Sequence, residues 1–252
     1  MNNPIIGSHI IELKKTESTN AYTDKLLHSE KPEEGTVIIA YKQTKGKGQD
    51  QNRWESEANK NLTFSIILYP EFLNPSAQFR LIEMTSLGIT DYIKTLLPPD
   101  LEIRIKWPND IYIGNRKLCG TLVQNSIVGS ELTECIVGIG LNVNQEKFLS
   151  DAPNPVSLKQ ITDVSYNLHE CLRALCSSID IRYFQLKNKQ YAQLETDYLS
   201  LLYRFNEMHE FIIHENKVQA RITGITNFGQ LKLESIDHMI YECGMKEVVY
   251  CL

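Results

Sequence analysis

LEIRIKWPNDIYIGNRKLCGTLVQN, Leu101 to Asn125, reads as strand, sharp polar turn, strand, second turn and a further strand. Pro108 fixes the first turn, Asn109 and Asp110 put short polar side chains at its tip, and Gly114-Asn115 makes the second. A plain turn-and-core reading accounts for these residues and for Trp107. It leaves Lys106 unexplained. Beside Ile103 and Ile105, Lys106 is expected to point inward with the apolar face reversed, and a lysine delivered by a buried strand is costly unless it meets an anion. The meander therefore predicts both a sheet and a positive charge fixed at the end of one strand.

Outward from it, GTVIIAYKQ (Gly35–Gln43) and NLTFSIILYP (Asn61–Pro70) are two more strands, neighbours in a sheet. Between them lies the loop QTKGKGQDQNRW, Gln43 to Trp54, in which nothing can pack a core. The 17 residues from Thr44 to Lys60 exceed an ordinary hairpin connection, and long loops inside domains are commonly functional. Glycines let backbone N–H groups approach a polyanion, and lysines neutralise it. The loop is neither a Walker A, because GxxxxGK[ST] is absent, nor a Rossmann fingerprint, because βαβ spacing is absent. HIIELKKT (His9–Thr16) reads as a first strand, and STNAYTDKLLHS as a helix with Ser18 as N-cap. Pro75–Leu97 carries a helical stripe ended by Pro98-Pro99, and Glu134–Asn144 a buried strand whose glycines mark a close approach. Tyr166 to Arg204 is helical. After Phe205, short strands and turns suit a small β-barrel.

Composition removes several alternatives. With 42% hydrophobic and 23% charged residues among 252, the chain can bury a core and is not a disordered segment. A formal net charge of −5 gives no global basic field for nucleic acid, so anion recognition must be local, at Lys45 and Lys47. Six scattered cysteines without a CxxC pair read as free thiols in a reducing compartment. The histidines, His209 and His214 included, lack metal-ligand spacing, and no metal ligand can be named. The N-terminus does not read as a signal peptide, and no window approaches the roughly 20 apolar residues of a membrane span. The expectation is a cytoplasmic protein with no membrane partner.

Taken together, ESTN (Glu17–Asn20), QTKGKGQ (Gln43–Gln49), WESEANKNLTFS (Trp54–Ser65), KWPNDIYI (Lys106–Ile113), RKLCGTLVQ (Arg116–Gln124) and GIGLNVN (Gly138–Asn144) resemble the biotin protein ligases. They occur in that family's order and spacing from Ser18 onward, and KWPND with the Gly-basic-Gly loop is its most specific part. The resemblance implies an α+β fold: a mixed β-sheet catalytic domain with flanking helices over residues 1–204, then a small C-terminal SH3-like β-barrel over 205–252. It implies that Ser18, Thr19, Asn20, Gln43, Lys47, Gly48, Gln49, Lys106 and Gly120 handle biotin. It places Gly46, Lys47, Trp54, Asn109, Lys117 and Asn142 at ATP, and makes Lys106, Lys47, Lys117 and Asp110 the catalytic set. Most members have arginine where Lys47 stands. Asp50, Gln51, Asn59 and Gln124 depart from residues usual in the family: a basic residue, a glycine, a glycine and a glutamate.

The activity so implied joins biotin to ATP as biotinyl-5′-AMP, with Mg²⁺ on the pyrophosphate, and passes biotin to a lysine of an apo-biotin carboxyl carrier protein. The loop would stay mobile until biotin arrives and then exclude water. Seventeen residues precede Ser18, too few for the winged helix of repressor members, so a monofunctional ligase without DNA binding is expected. A lipoate–protein ligase, or a non-enzymatic ligand-binding regulator, is the alternative.

Overall fold

The Leu101 meander ends a seven-stranded mixed sheet in the computed structural model, which describes residues 4–49, 52–150 and 154–251. Its strands are β1 (Ile10–Leu13), β2 (Val37–Ala40), β3 (Leu62–Leu68), β4 (Ile103–Lys106), β5 (Asp110–Ile113), β6 (Arg116–Val128) and β7 (Glu131–Leu141). They lie in the order β1-β2-β3-β7-β6-β5-β4. β1 and β2 are parallel, and the other neighbours are antiparallel. A parallel pair needs a crossover, and helix α1 (Thr19–Ser29) lies within it.

Strand alternation decides what each face of β3 holds. Phe64 and Ile66 are fully buried in a cluster with Leu81, Met84 and Leu87 of α2 (Arg80–Lys94). Each such burial stabilises by about 1.5–3 kcal/mol. Ser65, between them, points toward α1, donating to Asn20 Oδ1 at 2.7 Å and sharing a hydrogen bond with Thr19 Oγ1 at 2.8 Å. The sheet thus offers an apolar face to α2 and, on the other side, polar Thr63 and Ser65 beside the fully buried Ile67.

The Tyr166–Arg204 stretch is two long helices rather than one, α4 (Leu168–Lys187) and α5 (Tyr191–Ser200), preceded by the short α3 (Leu158–Thr162). Lys189, at φ 57°, turns the chain between α4 and α5, which both pack on α2. Beyond them β8 (Met208–Ile213), β9 (Asn216–Ile225), β10 (Leu231–Ser235), β11 (Ile240–Cys243) and β12 (Val248–Tyr250) form a second, antiparallel sheet ordered β11-β10-β9-β8-β12. Among the described residues no pairing closes β11, of 4 residues, onto β12, of 3, so a closed barrel is not seen. This sheet is tied to the first: Trp107 Nε1 donates to Gly229 O at 3.0 Å, and Arg204 Nη1 to Cys251 O at 2.8 Å.

Candidate active site

The parallel β1–β2 pairing continues past the strands as a bridge between Thr16 and Gln43. That puts the start of α1 beside the entrance of the glycine loop. Thr19 N donates to Gln43 Oε1 at 2.7 Å, Lys45 N donates to Glu17 O at 2.8 Å, and the exposed Lys45 ammonium lies 2.9 Å from the Glu17 carboxylate. Lys45 therefore latches the loop to the ESTN segment. Ser18 is the N-cap of α1, yet its side chain makes no capping bond; buried to 3% exposure, it lines a cavity instead.

The loop is folded back on itself as a hairpin, with Lys47 bridged to Arg53, Gly48 N on Asn52 O at 2.8 Å and Trp54 N on Gly46 O at 3.0 Å. Asp50 and Gln51 lie outside the described residues. A cavity of about 140 Å³ opens beneath the hairpin, lined by Ser18, Thr19, Asn20, Gln43, Lys47, Gly48, Gln49, Trp54, Asp110, Lys117, Gly120, Gly138 and Gly140. Its floor is bare backbone, because Gly120 pairs with Gly140 across β6 and β7. A Cβ on Gly138 would stand 2.1 Å from Asn20 Oδ1, and one on Gly140 2.3 Å from the Trp54 ring. Those two glycines let Asn20 and Trp54 rest on the sheet.

Trp54, Asp110 and Lys117 also line a second, larger cavity of about 570 Å³, with Lys106, Tyr112, Asn142, Phe148 and Pro155. The Trp54 ring stands between the two spaces, with Lys117 Nζ 5.6 Å from its centroid. Lys117 Nζ also lies 2.6 Å from Asp110 Oδ2, so these two charges offset each other. Lys106 is different. The inward orientation expected from the sequence is not seen: on β4 successive residues face opposite sides, so Lys106 shares the face of Arg104, opposite the buried Ile103 and Ile105, and does not enter the core. Its ammonium lies 5.3 Å from the Tyr112 ring centroid and 5.0 Å from that of Tyr250, and it forms no ion pair among the described residues. Burial pulls its pKa below the ordinary 10.5; Asp110 opposes this, while Lys117 and Arg204 add repulsion. A cation held by aromatic faces keeps its charge available for an anion.

The remaining expected residues divide. Asn142 lines the larger cavity, with Nδ2 on Val156 O at 3.0 Å and Oδ1 buried without a protein partner. Asn109 lines neither cavity: it is buried, and its amide donates to Thr121 O, tying the turn to β6. Gly46 belongs to the hairpin stem, where a Cβ would meet Trp54 O at 2.4 Å. Two departures acquire a reason. Asn59 is left-handed, φ 61°, a conformation that glycine adopts freely and asparagine tolerates. Gln124 Oε1 accepts from Asn20 Nδ2 at 2.8 Å. Tyr250 was not foreseen, because strand periodicity cannot show that a C-terminal ring crosses to the other sheet.

The biotin/lipoate A/B protein ligase family model matches residues 12–142, which hold both strands of the loop, the Lys106 turn and the glycine floor. The chain belongs to that family. Curated relatives include the bifunctional ligase/repressor BirA of Bacillus spizizenii, 32% identical over 143 residues, 56% of this chain and 42% of that protein. A biotin–[acetyl-CoA-carboxylase] ligase of Mycobacterium tuberculosis is 28% identical over 185 residues, 73% of this chain and 67% of that one. This family member thus spans less than half the length of the first of these relatives. Its whole fold is similar to biotin protein ligase from Aquifex aeolicus in complex with biotin and ATP: TM-score 0.77, 26% identity, 96% of this chain and 98% of that one covered. No helix among the described residues is long and apolar enough to cross a membrane.

Proposed function

We propose that the chain is an ATP-dependent biotin–protein ligase that makes biotinyl-5′-AMP and then biotinylates a lysine of a biotin carboxyl carrier protein. The observation that carries this reading is the pair of cavities meeting at Trp54, Asp110 and Lys117, with the unpaired Lys106 ammonium in the larger one. The smaller, polar space under the hairpin suits the ureido head of biotin, where Ser18, Thr19, Asn20 and Gln43 supply donors and acceptors. At about 140 Å³ it is smaller than the roughly 300–1,000 Å³ of pockets that hold a whole ligand, in keeping with a subsite for one end of biotin. The larger space takes the nucleotide, and the unpartnered Asn142 Oδ1 can accept from an amine there.

In the first step a biotin carboxylate oxygen bonds to the α-phosphorus and the bond to pyrophosphate breaks. Two anions must approach, so a fixed cation matters more than any acid or base. Lys106 is that cation, Lys47 on the hairpin a second, and Lys117 joins them when phosphate competes for it with Asp110. Mg²⁺ enters with the triphosphate as part of the substrate, which is its usual mode of binding. In the second step a neutral carrier amine attacks the acyl carbon and AMP leaves; Asp110, once released from Lys117, orients that amine or takes its proton. Asn109 positions the turn that presents Lys106 and Asp110. Residues 205–252 form, on this reading, an SH3-like module, and no DNA partner is assigned. Pyrophosphate release without carrier tests the first step. It should require biotin and ATP together; release that follows lipoate instead would move the chain to the other branch of the family.

A further inference from the structure

Glu55, next to Trp54, makes a set of contacts that the adenylation chemistry above does not use. Its carboxylate accepts from Leu149 N at 2.8 and 3.1 Å, from Ser150 N at 2.7 Å and from Gln145 Nε2 at 3.2 Å. Burial opposes the charge, but the bonds from Ser150, Leu149 and Gln145 outweigh it and hold the carboxyl below the usual range. Gln145 is itself buried, takes Asn61 Nδ2 and Glu57 N on its oxygen, and so anchors the cluster to the sheet. Phe148, Leu149 and Ser150 line the larger cavity together with Lys117, while Leu149 is 89% exposed. With Leu149 so exposed and Phe148 only partly buried, the bonds to the Glu55 carboxylate are a principal described tie between this segment and the Trp54 stretch.

We infer that Glu55 is a positioning residue that clasps the Phe148–Ser150 segment to the Trp54 segment, making two chain stretches one wall of the nucleotide cavity. This rests on the nucleotide reading of that cavity. One acidic side chain thereby couples the glycine hairpin to the end of the GIGLNVN strand, and the coupling sets nucleotide affinity rather than chemistry. Hydrogen bonds to a charged group are the stronger kind, so losing them should be visible in binding.

The test compares wild type, Glu55→Gln and Glu55→Asp by calorimetric titration with a non-hydrolysable ATP analogue and with biotin, and by steady-state carrier biotinylation. Glu55→Gln should weaken analogue binding and raise the KM for ATP by about tenfold. Its biotin affinity and kcat should stay within about twofold of wild type. Glu55→Asp keeps the charge but falls short, and should show the same split, smaller. Should the Gln variant fail to fold, the Asp variant decides alone. Unchanged analogue affinity in a folded variant, or biotin affinity falling in step with it, overturns the clasp. If wild type binds the analogue but never biotinylates carrier, the ligase reading fails while the binding comparison still judges Glu55.

Discussion

Lys106→Gln keeps a polar side chain of similar reach and removes the charge. Losing one charge-assisted group in a closed site costs about 3 kcal/mol in the transition state, roughly a hundredfold in rate. Adenylate synthesis, followed by pyrophosphate release, should fall by that factor with the melting temperature near wild type, because among the described residues Lys106 meets only the Tyr112 and Tyr250 rings and forms no ion pair. Its depressed pKa sets a direction too: activity should decline as pH rises through a value below 10.5, and Lys106→Arg should move that decline upward. A near-normal rate in Lys106→Gln would make the residue structural. The glycine floor is tested by Gly138→Ala, whose Cβ must displace Asn20. Biotin affinity should drop by about tenfold or more in calorimetry while ATP-analogue affinity holds. At this scale part was legible: the turn that follows Lys106 and the glycines of the loop could be read from residue type alone, whereas Lys106 shares its strand face with Arg104 and does not point into the core. What sequence could not show was direction. Asn109 looks like a tip residue but turns inward to Thr121 O, and Glu55 finds its partners across 94 and 95 residues of chain.

Among the elements, α2 carries a buried titratable group of its own. Glu83 is 4% exposed, and burial raises its pKa to about 7, with Glu195 adding repulsion and the Arg80 guanidinium at 3.2 Å working against both. A folded pKa above the ordinary 4.5 means the folded state holds the proton more tightly. That contribution is present at low pH and is lost as pH rises toward and through about 7. Melting temperature should therefore fall between about pH 5 and pH 8 in wild type, and Glu83→Gln should flatten that slope. An identical slope in both proteins would place the proton elsewhere. The hairpin gives a second expectation. Its inner bonds, Gly48 N to Asn52 O and Trp54 N to Gly46 O, should gain protection from amide exchange when biotin and ATP are both present. Equal protection with and without ligands would remove its gating role. The strands flanking this loop were legible from their apolar runs, and the Leu101 meander from its turns. The break between α4 and α5 was not, since Lys189 turns the chain with no glycine or proline to mark the place.

For the molecule as a whole, the two sheets share one site. Trp107 is bonded to the Gly229 turn, and Tyr250 of the second sheet faces the Lys106 ammonium. No pattern within residues 205–252 announces either contact, because a docking surface leaves no period in the sequence. The central claim is that this joined site moves biotin onto a protein lysine. Incubation with ATP, Mg²⁺, biotin and an apo-carrier domain, followed by intact mass measurement of the carrier, tests it most directly. One biotinyl group should appear on the carrier, only when all components are present, and should be lost when the acceptor lysine is replaced. A carrier of unchanged mass beside an active control ligase, or one modified only when lipoate replaces biotin, would contradict the account.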